Sequence, residues 1–249
     1  MDIITDLAGG FVGPGTPSVD NRSGSIGLST DPPTLYGVGL GPGDPGLVTR
    51  RAEEVIRSVP VVMVPFVGAS SRAARVVREL DPEAVIVGYP APMTRDERER
   101  EKAYREAARI AEELLEEHGR VAVCNLGDIT LYSTFWHLVD RLRLDVRVSL
   151  VPGVPAGLLC AARVERPLVM GDERLLVCTR KPPERLLDGV DAVILYKPTE
   201  RGIRLLLERG FRVYLCRSLG FPEEEVRRVR EPERPGYLCT VIALREGEG

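Results

Sequence analysis

Gly37-Val-Gly39-Leu-Gly41-Pro42-Gly43-Asp44-Pro45 is the stretch of this sequence best suited to chemistry. Glycines let a backbone turn sharply and approach another molecule closely, where side chains would forbid it. Two phosphate-binding readings fail here. A dinucleotide fingerprint needs a helix that begins among the glycines, which Pro42 and Pro45 obstruct. It also needs an acid after the second strand, where Met63, Val64 and Pro65 stand. A P-loop needs Gly-Lys-Ser/Thr, and none follows. A plain turn joining two elements remains the alternative. Leu126-Gly127-Asp128, Val151-Pro152-Gly153-Val154 and Tyr196-Lys197 each close an apolar run. Ligands of open α/β sheets bind at the carboxyl ends of strands, so these ends are expected to converge on one cleft. A carboxylate at Asp128 accepts hydrogen bonds from a ribose or an amine, or else caps the following helix. Ser133 has only His137, one helical turn on, as a basic neighbour, so no hydrolase triad is formed.

The elements that must position these residues begin at Leu35, where short apolar runs alternate with helical periods, the mark of βαβ units and a mostly parallel sheet. Strands are expected at Leu35–Leu40, Val61–Val64, Ala84–Val87, Val121–Asn125 and Val146–Val151. Helices are expected around Ala52–Val59, with Thr49 as cap, and over Ser70–Leu80. A long helix is opened by a Thr94-x-x-Glu97 capping box and ended by Gly119, and another spans Leu131–Leu142. A second series follows: helix Ala156–Arg163, strands Leu175–Thr179 and Ala192–Tyr196, helix Glu200–Arg209 and strand Arg212–Cys216. The last two segments, near Val226–Arg230 and Tyr237–Leu244, read as an antiparallel pair. The expected organisation is a flexible tail over residues 1–34, an N-terminal α/β domain with the glycine-rich loop over 35–150, and a C-terminal α/β domain over 151–249.

Composition narrows the class. The chain has 249 residues, 43% of them hydrophobic, enough for real cores. A net charge of −3 argues against a nucleic-acid partner. No apolar run reaches the ~20 residues of a membrane span, and the first 34 residues lack the blocks of a signal peptide. A cytoplasmic protein is expected. The five cysteines are odd in number and widely spaced, and four lie in strand-like runs, so buried reduced thiols are expected. With two histidines and no C-x-x-C pair, no metal site is expected. The basic residues are nearly all arginine, whose forks bind carboxylates in bidentate fashion.

Taken together, Leu35-Tyr-Gly-Val-Gly-Leu-Gly-Pro-Gly-Asp-Pro-Gly-Leu-Val-Thr49, Leu126-Gly-Asp-Ile-Thr-Leu-Tyr-Ser-Thr-Phe135 and Val151-Pro-Gly-Val154 resemble the tetrapyrrole (corrin/porphyrin) methylases. Leu131-Tyr-Ser-Thr-Phe135 and Gly171-Asp-Glu-Arg-Leu175 are most similar to the C20-methyltransferases of precorrin-2 or cobalt-precorrin-2 in cobalamin synthesis. The resemblance runs from Leu35 to Leu244. It implies two α/β domains with S-adenosylmethionine in the cleft between them, and a homodimer. Carried over position by position, cofactor contacts fall to Pro42, Leu126, Gly127, Asp128, Leu131, Pro155, Ala156, Tyr196, Lys197 and Ser218. Relatives have proline where this chain has Ile129, and often Ser or Thr where it has Pro155.

A sulfonium cofactor carries no phosphate, consistent with a glycine loop lacking an anion-binding lysine. Methyl transfer is a direct displacement, so the protein mainly holds the methyl ~3–3.5 Å from the acceptor carbon, which can supply ~7–11 kcal/mol. A proton leaves the acceptor carbon afterwards. Asp44 is assigned to take it or to grip a pyrrole N–H, against its reading as an ordinary turn residue. The substrate's carboxylates call for arginines, with Arg72, Arg95 and Arg98 as candidates beside the reading of plain surface charge. Other readings stay open: another corrin carbon, uroporphyrinogen, a protein side chain as in diphthine synthase, or a binder without turnover.

Overall fold

The computed structural model describes residues 32–66, 71–94 and 96–245. The tail expected over 1–34 falls almost wholly outside the described residues, as does Arg95. The chain divides into two compact units, one of Met1–Leu40 with Val48–Gly153, the other of Gly41–Leu47 with Val154–Gly249. Most of the glycine-rich loop therefore packs with the second unit, although its sequence neighbours belong to the first.

The first unit is a five-stranded sheet in the order β3-β2-β4-β1-β5. Its strands are β1 (Thr34–Gly39), β2 (Val61–Phe66), β3 (Ile86–Pro90), β4 (Arg120–Asn125) and β5 (Arg147–Val151). Every pairing is parallel, with Val38 opposite Cys124 and Val151. Strands covered on both faces must be apolar on both, and β2 and β4 are: Val61 to Val64 and Val121 to Cys124 are buried without alternation. Helices α1 (Arg50–Ser58) and α2 (Arg72–Leu80) lean on β1 and β2, and α3 (Glu97–His118) lies across β2, β3 and β4. Thr49 caps α1 as the sequence suggests, accepting from Ala52 N at 3.2 Å. Ser71 caps α2.

Two helix ends differ from expectation. The cap of α3 is Asp96, which accepts from Arg98 N at 2.8 Å, while Thr94 accepts from Asp96 N one turn earlier. A carboxylate is as good a cap as a hydroxyl and also suits the positive end of the helix. The helix expected over Leu131–Leu142 shrinks to α4 (Phe135–Val139), because the residues before it serve a side-chain network described below. Gly119 ends α3 in the left-handed conformation, as foreseen.

The second unit holds a mixed sheet in the order β6-β7-β10-β8-β9. Its elements are α5 (Ala156–Arg163), β6 (Leu175–Thr179), β7 (Ala192–Tyr196), α6 (Glu200–Glu208), β8 (Arg212–Arg217), β9 (Glu225–Val229) and β10 (Cys239–Leu244). The last two strands do not pair with each other. Instead β10 enters between β7 and β8, antiparallel to both, and β9 pairs only with β8. Composition explains the exchange. Cys239 to Ala243 are buried on both faces and belong at the centre, whereas Glu-Val-Arg-Arg-Val suits an outer strand whose charges stay solvated. One face packs α6 around Leu195, Ile203, Leu206 and Val241. The other packs α5 around Leu159, Ile194 and Ile242. On that face Cys160 of α5 is joined to Cys216 of β8, correcting the expectation of reduced thiols throughout; Cys124, Cys178 and Cys239 are free. A spacing of 56 residues gives no hint of the pairing, which follows from the helix lying on the sheet.

Candidate functional site

In the first unit the carboxyl ends of β1, β4 and β5 come together through bare backbone. A methyl group on Gly39 would sit 2.6 Å from Gly153 N, and one on Gly153 would sit 2.4 Å from Gly127 O. Only glycine permits that approach, and Gly127 also takes the left-handed φ of +77°. Leu40 N donates to Asn125 O at 2.9 Å, and the Thr49 hydroxyl donates to Pro152 O at 3.5 Å. The three strand-end motifs of the first half thus meet as one surface of peptide groups.

Asp128 ties that surface together. Its Oδ1 accepts from Thr130 N at 2.8 Å and from the Thr130 hydroxyl, and its Oδ2 accepts from Gly153 N at 2.8 Å. The carboxylate is buried. Burial works against its charge, but the hydrogen bonds from Thr130, Gly153 and Ile129 outweigh it and hold the pKa below the usual carboxylate range. The helix-capping role weighed for Asp128 is not what it does here, since α4 starts only at Phe135. Leu131 lies in the loop before that helix, half-buried, and Leu126 precedes Gly127 at the end of β4. Ile129 is fully buried and would meet a methyl group on Gly37 at 3.1 Å, so it fills core volume.

Behind this surface lies a network that the sequence reading passed over. The Tyr89 hydroxyl donates to Asn125 Oδ1 at 2.7 Å, and Asn125 Nδ2 donates to Ser133 Oγ at 2.8 Å and Thr134 Oγ1 at 3.2 Å. Thr134 returns a side-chain hydrogen bond to Tyr89, closing a ring. Burial pushes the Tyr89 phenol up, so it stays protonated as a donor. Ser133 Oγ also accepts from Phe135 N at 3.2 Å. These bonds fix the turn in which Tyr132 adopts φ +53°, an uncommon conformation for an aromatic residue. The signal was available: Asn125 is a polar residue closing a fully apolar strand.

In the second unit, β6, β7 and β8 run the same way, the last two through their common antiparallel partner β10. Each ends in a non-glycine residue at positive φ: Arg180 at +64°, Lys197 at +47° and Ser218 at +48°. Such strain gathers at functional edges, and two of the three are residues expected to touch the cofactor. Tyr196 accepts from Gly157 N at 3.3 Å, holding the first turn of α5. Pro155 is the N-cap of that helix and offers no side-chain acceptor. Pro42 is buried, and the loop after it folds against Gly220, where a methyl group would lie 2.4 Å from Asp44 N. Asp44 Oδ1 accepts from Gly46 N at 2.8 Å, the turn role weighed for it. No hydrogen bond to its Oδ2 is formed among the described residues, and the charge of Arg163 is felt at the carboxylate. Of the arginine candidates, Arg72 opens α2 and Arg98 lies exposed in the first turn of α3.

Comparison with known proteins agrees with this fold. A model of the Tetrapyrrole (Corrin/Porphyrin) Methylases matches residues 34–234. A protein of Methanocaldococcus jannaschii named a probable cobalt-precorrin-2 C(20)-methyltransferase is 34% identical over 199 residues, covering 77% of this chain and 85% of that one. The cobalt-precorrin-2 C(20)-methyltransferase of Salmonella typhimurium is 30% identical, covering 69% and 75%. Among solved structures, the uroporphyrin-III C-methyl transferase of Thermus thermophilus complexed with S-adenyl homocysteine superposes with a TM-score of 0.61 at 19% identity, covering 84% of this chain and 96% of that one.

Proposed function

Because the chain belongs to the tetrapyrrole (corrin/porphyrin) methylases, we propose that it transfers a methyl group from S-adenosylmethionine to C20 of precorrin-2 or cobalt-precorrin-2 in cobalamin synthesis. The observation that carries this reading is the peptide-lined edge at Gly39, Gly127 and Gly153, clamped by Asp128. It fits a donor without phosphates: close-approaching backbone and a carboxylate. When bound, the donor supplies an electrophilic methyl group on a sulfonium.

Leu126, Gly127, Asp128, Leu131, Pro42, Pro155, Ala156, Tyr196, Lys197 and Ser218 are assigned to hold it. Their work is positioning, which needs no covalent attachment to the protein. Asp44 keeps one oxygen in its turn and leaves Oδ2 to receive the proton that the acceptor carbon loses once the new carbon–carbon bond has formed. Arg72, Arg95 and Arg98 are assigned to the acceptor's carboxylates. We assign the enzyme to the cytoplasm: the free thiols of Cys124, Cys178 and Cys239 suit a reducing compartment, and the buried Cys160–Cys216 bridge is of a kind uncommon there. We also assign it to a homodimer, with Val148 and Leu150, exposed on the outer strand β5, facing a second copy.

Incubation with S-adenosylmethionine and either precorrin-2 or its cobalt complex is expected to add one methyl group by mass spectrometry, located at C20 by carbon NMR of labelled product. No mass gain with either acceptor, or a methyl at another carbon, would refute the assignment. The ratio of kcat/KM for the two acceptors identifies the natural one, about tenfold corresponding to ~1.4 kcal/mol.

A further inference from the structure

Helix α3 is longer than the core it covers. Its buried residues begin at Ala103, so the turns from Glu97 to Lys102 overhang the sheet. Because α3 follows β3, and α4 follows β4, this overhang lies at the carboxyl edge of the strands. Between the overhang and α4 is an open groove of about 740 Å³, whose lining includes Arg98, Lys102, Tyr104, Arg105, His137 and Arg141. Its walls are built rather than loose. Tyr104 stacks on His137 with ring centroids 4.5 Å apart, and the Arg141 guanidinium lies 5.3 Å from the centre of the Tyr104 ring.

The charges of the groove are unbalanced. Glu101 is taken up by Arg105 at 2.7 Å and by Arg141, whose Nε donates at 3.0 Å, and these two guanidiniums hold its carboxyl below the usual range. Glu97 faces Arg100 at 3.8 Å. Arg98 and Lys102 form no salt bridge among the described residues. Nε of Arg100, which also lines the groove, is shut off from solvent without an acceptor. Arg98, Lys102 and Arg105 recur at i, i+4 and i+7 along one stripe spanning ~10 Å of helix; Arg105 is given to Glu101, which leaves Arg98 and Lys102 as the cations without a salt bridge among the described residues. Separated cations on a walled groove call for an anion with separated charges, and guanidinium forks match carboxylates.

We propose that this groove is a carboxylate-binding site in which Arg98 and Lys102 grip acidic side arms along one edge of the acceptor. The site rests on the tetrapyrrole reading above and adds Lys102, Arg100 and the α3–α4 walls to it. A macrocycle with acid arms around its rim can offer a separate carboxylate to each cation, whereas a lone phosphate concentrates its charge at one point.

Trp136, the sole tryptophan, sits on α4 beside His137 and supplies a binding signal independent of turnover. Quenching of its fluorescence by uroporphyrin, a stable ring bearing the same kind of acid arms, is expected to give a Kd that rises about tenfold or more in the double variant Arg98→Gln, Lys102→Gln. Arg98→Lys is expected to restore part of the affinity, and calorimetry is expected to give an unchanged Kd for S-adenosylmethionine. In the methylation assay the double variant should raise the acceptor KM while kcat at saturation stays within about twofold. An unchanged uroporphyrin Kd, or inorganic phosphate competing as well as uroporphyrin does, would overturn the site. Methylation at C20 with an unaltered KM would overturn the site and leave the function standing. Uroporphyrin binding lost in the double variant, with no methylation by the unaltered enzyme, would leave the site standing and remove the function.

Discussion

Both carboxylate oxygens of Asp128 are engaged inside the first unit, so its replacement should be felt in stability as well as in binding. Asp128→Asn sets an NH2 group against a backbone N–H on one side or the other, which should cost ~1–3 kcal/mol at neutral pH. Because the folded-state pKa lies below the unfolded value of ~3.9, the stabilisation is present above about pH 4 and fades as pH falls through the folded value. Urea unfolding of the two proteins should therefore differ at pH 7 and converge at low pH. Calorimetry should show weaker S-adenosylmethionine binding by the variant. Asp44→Asn is the contrasting case: it keeps an acceptor for Gly46 N but loses the base. Turnover should fall by ~10²–10⁴ with the cofactor Kd unchanged. A fall in cofactor affinity with turnover intact would show the two aspartates to be exchanged in role.

The loop that carries Asp128 and Tyr132 is held by side chains from two strands, and that arrangement is tested at the level of the element. Tyr89→Phe deletes the hydroxyl from the ring with Asn125 and Thr134 and should cost ~1–3 kcal/mol. Asn125→Ala should cost more, since it frees the turn at Ser133 and Thr134 as well. If the ring positions the loop, acceptor KM will rise in Tyr89→Phe more than its lowered Tm accounts for, and Asn125→Asp will not rescue Asn125→Ala. An unchanged KM would leave the network a purely structural role. The same loop marks the limit of legibility. Apolar spacing at Leu131, Phe135, Leu138 and Leu142 reads as a continuous helix, but short hydroxyl side chains prefer to bond locally, and here they capture the first turn for Asn125. Strands β2, β4 and β7 were legible because burial on both faces demands unbroken apolar runs. The meeting of strand ends was legible where glycine must admit a neighbouring backbone, as at Gly39, Gly127 and Gly153. It was illegible where contact depends on strand order, as with Tyr89 and Asn125, which lie 36 residues apart.

At the scale of the whole chain, Cys160–Cys216 closes a loop of 56 residues between α5 and β8, both partners fully buried. Chain-entropy arithmetic gives a loop of that length ~4 kcal/mol. Reductant in denaturant, or Cys216→Ser, should lower the midpoint of the second unit while leaving the far-ultraviolet signal of the native protein intact. Equal midpoints with and without reductant would show the bridge to be dispensable. Light scattering should give twice the chain mass for the unaltered protein and a single-chain mass for Leu150→Asp, since a charge on β5 opposes edge pairing.

The second unit takes Gly41–Leu47 from early in the chain and its central strand, Cys239–Leu244, from late in it. During synthesis the ribosome must therefore translate through Leu244 before β7 and β8 acquire the partner that joins them. Until then both present open hydrogen-bonding edges. A nascent chain stalled before that point is a client for chaperones, and a fragment starting at Val154 lacks a piece that could be supplied in trans as a short peptide.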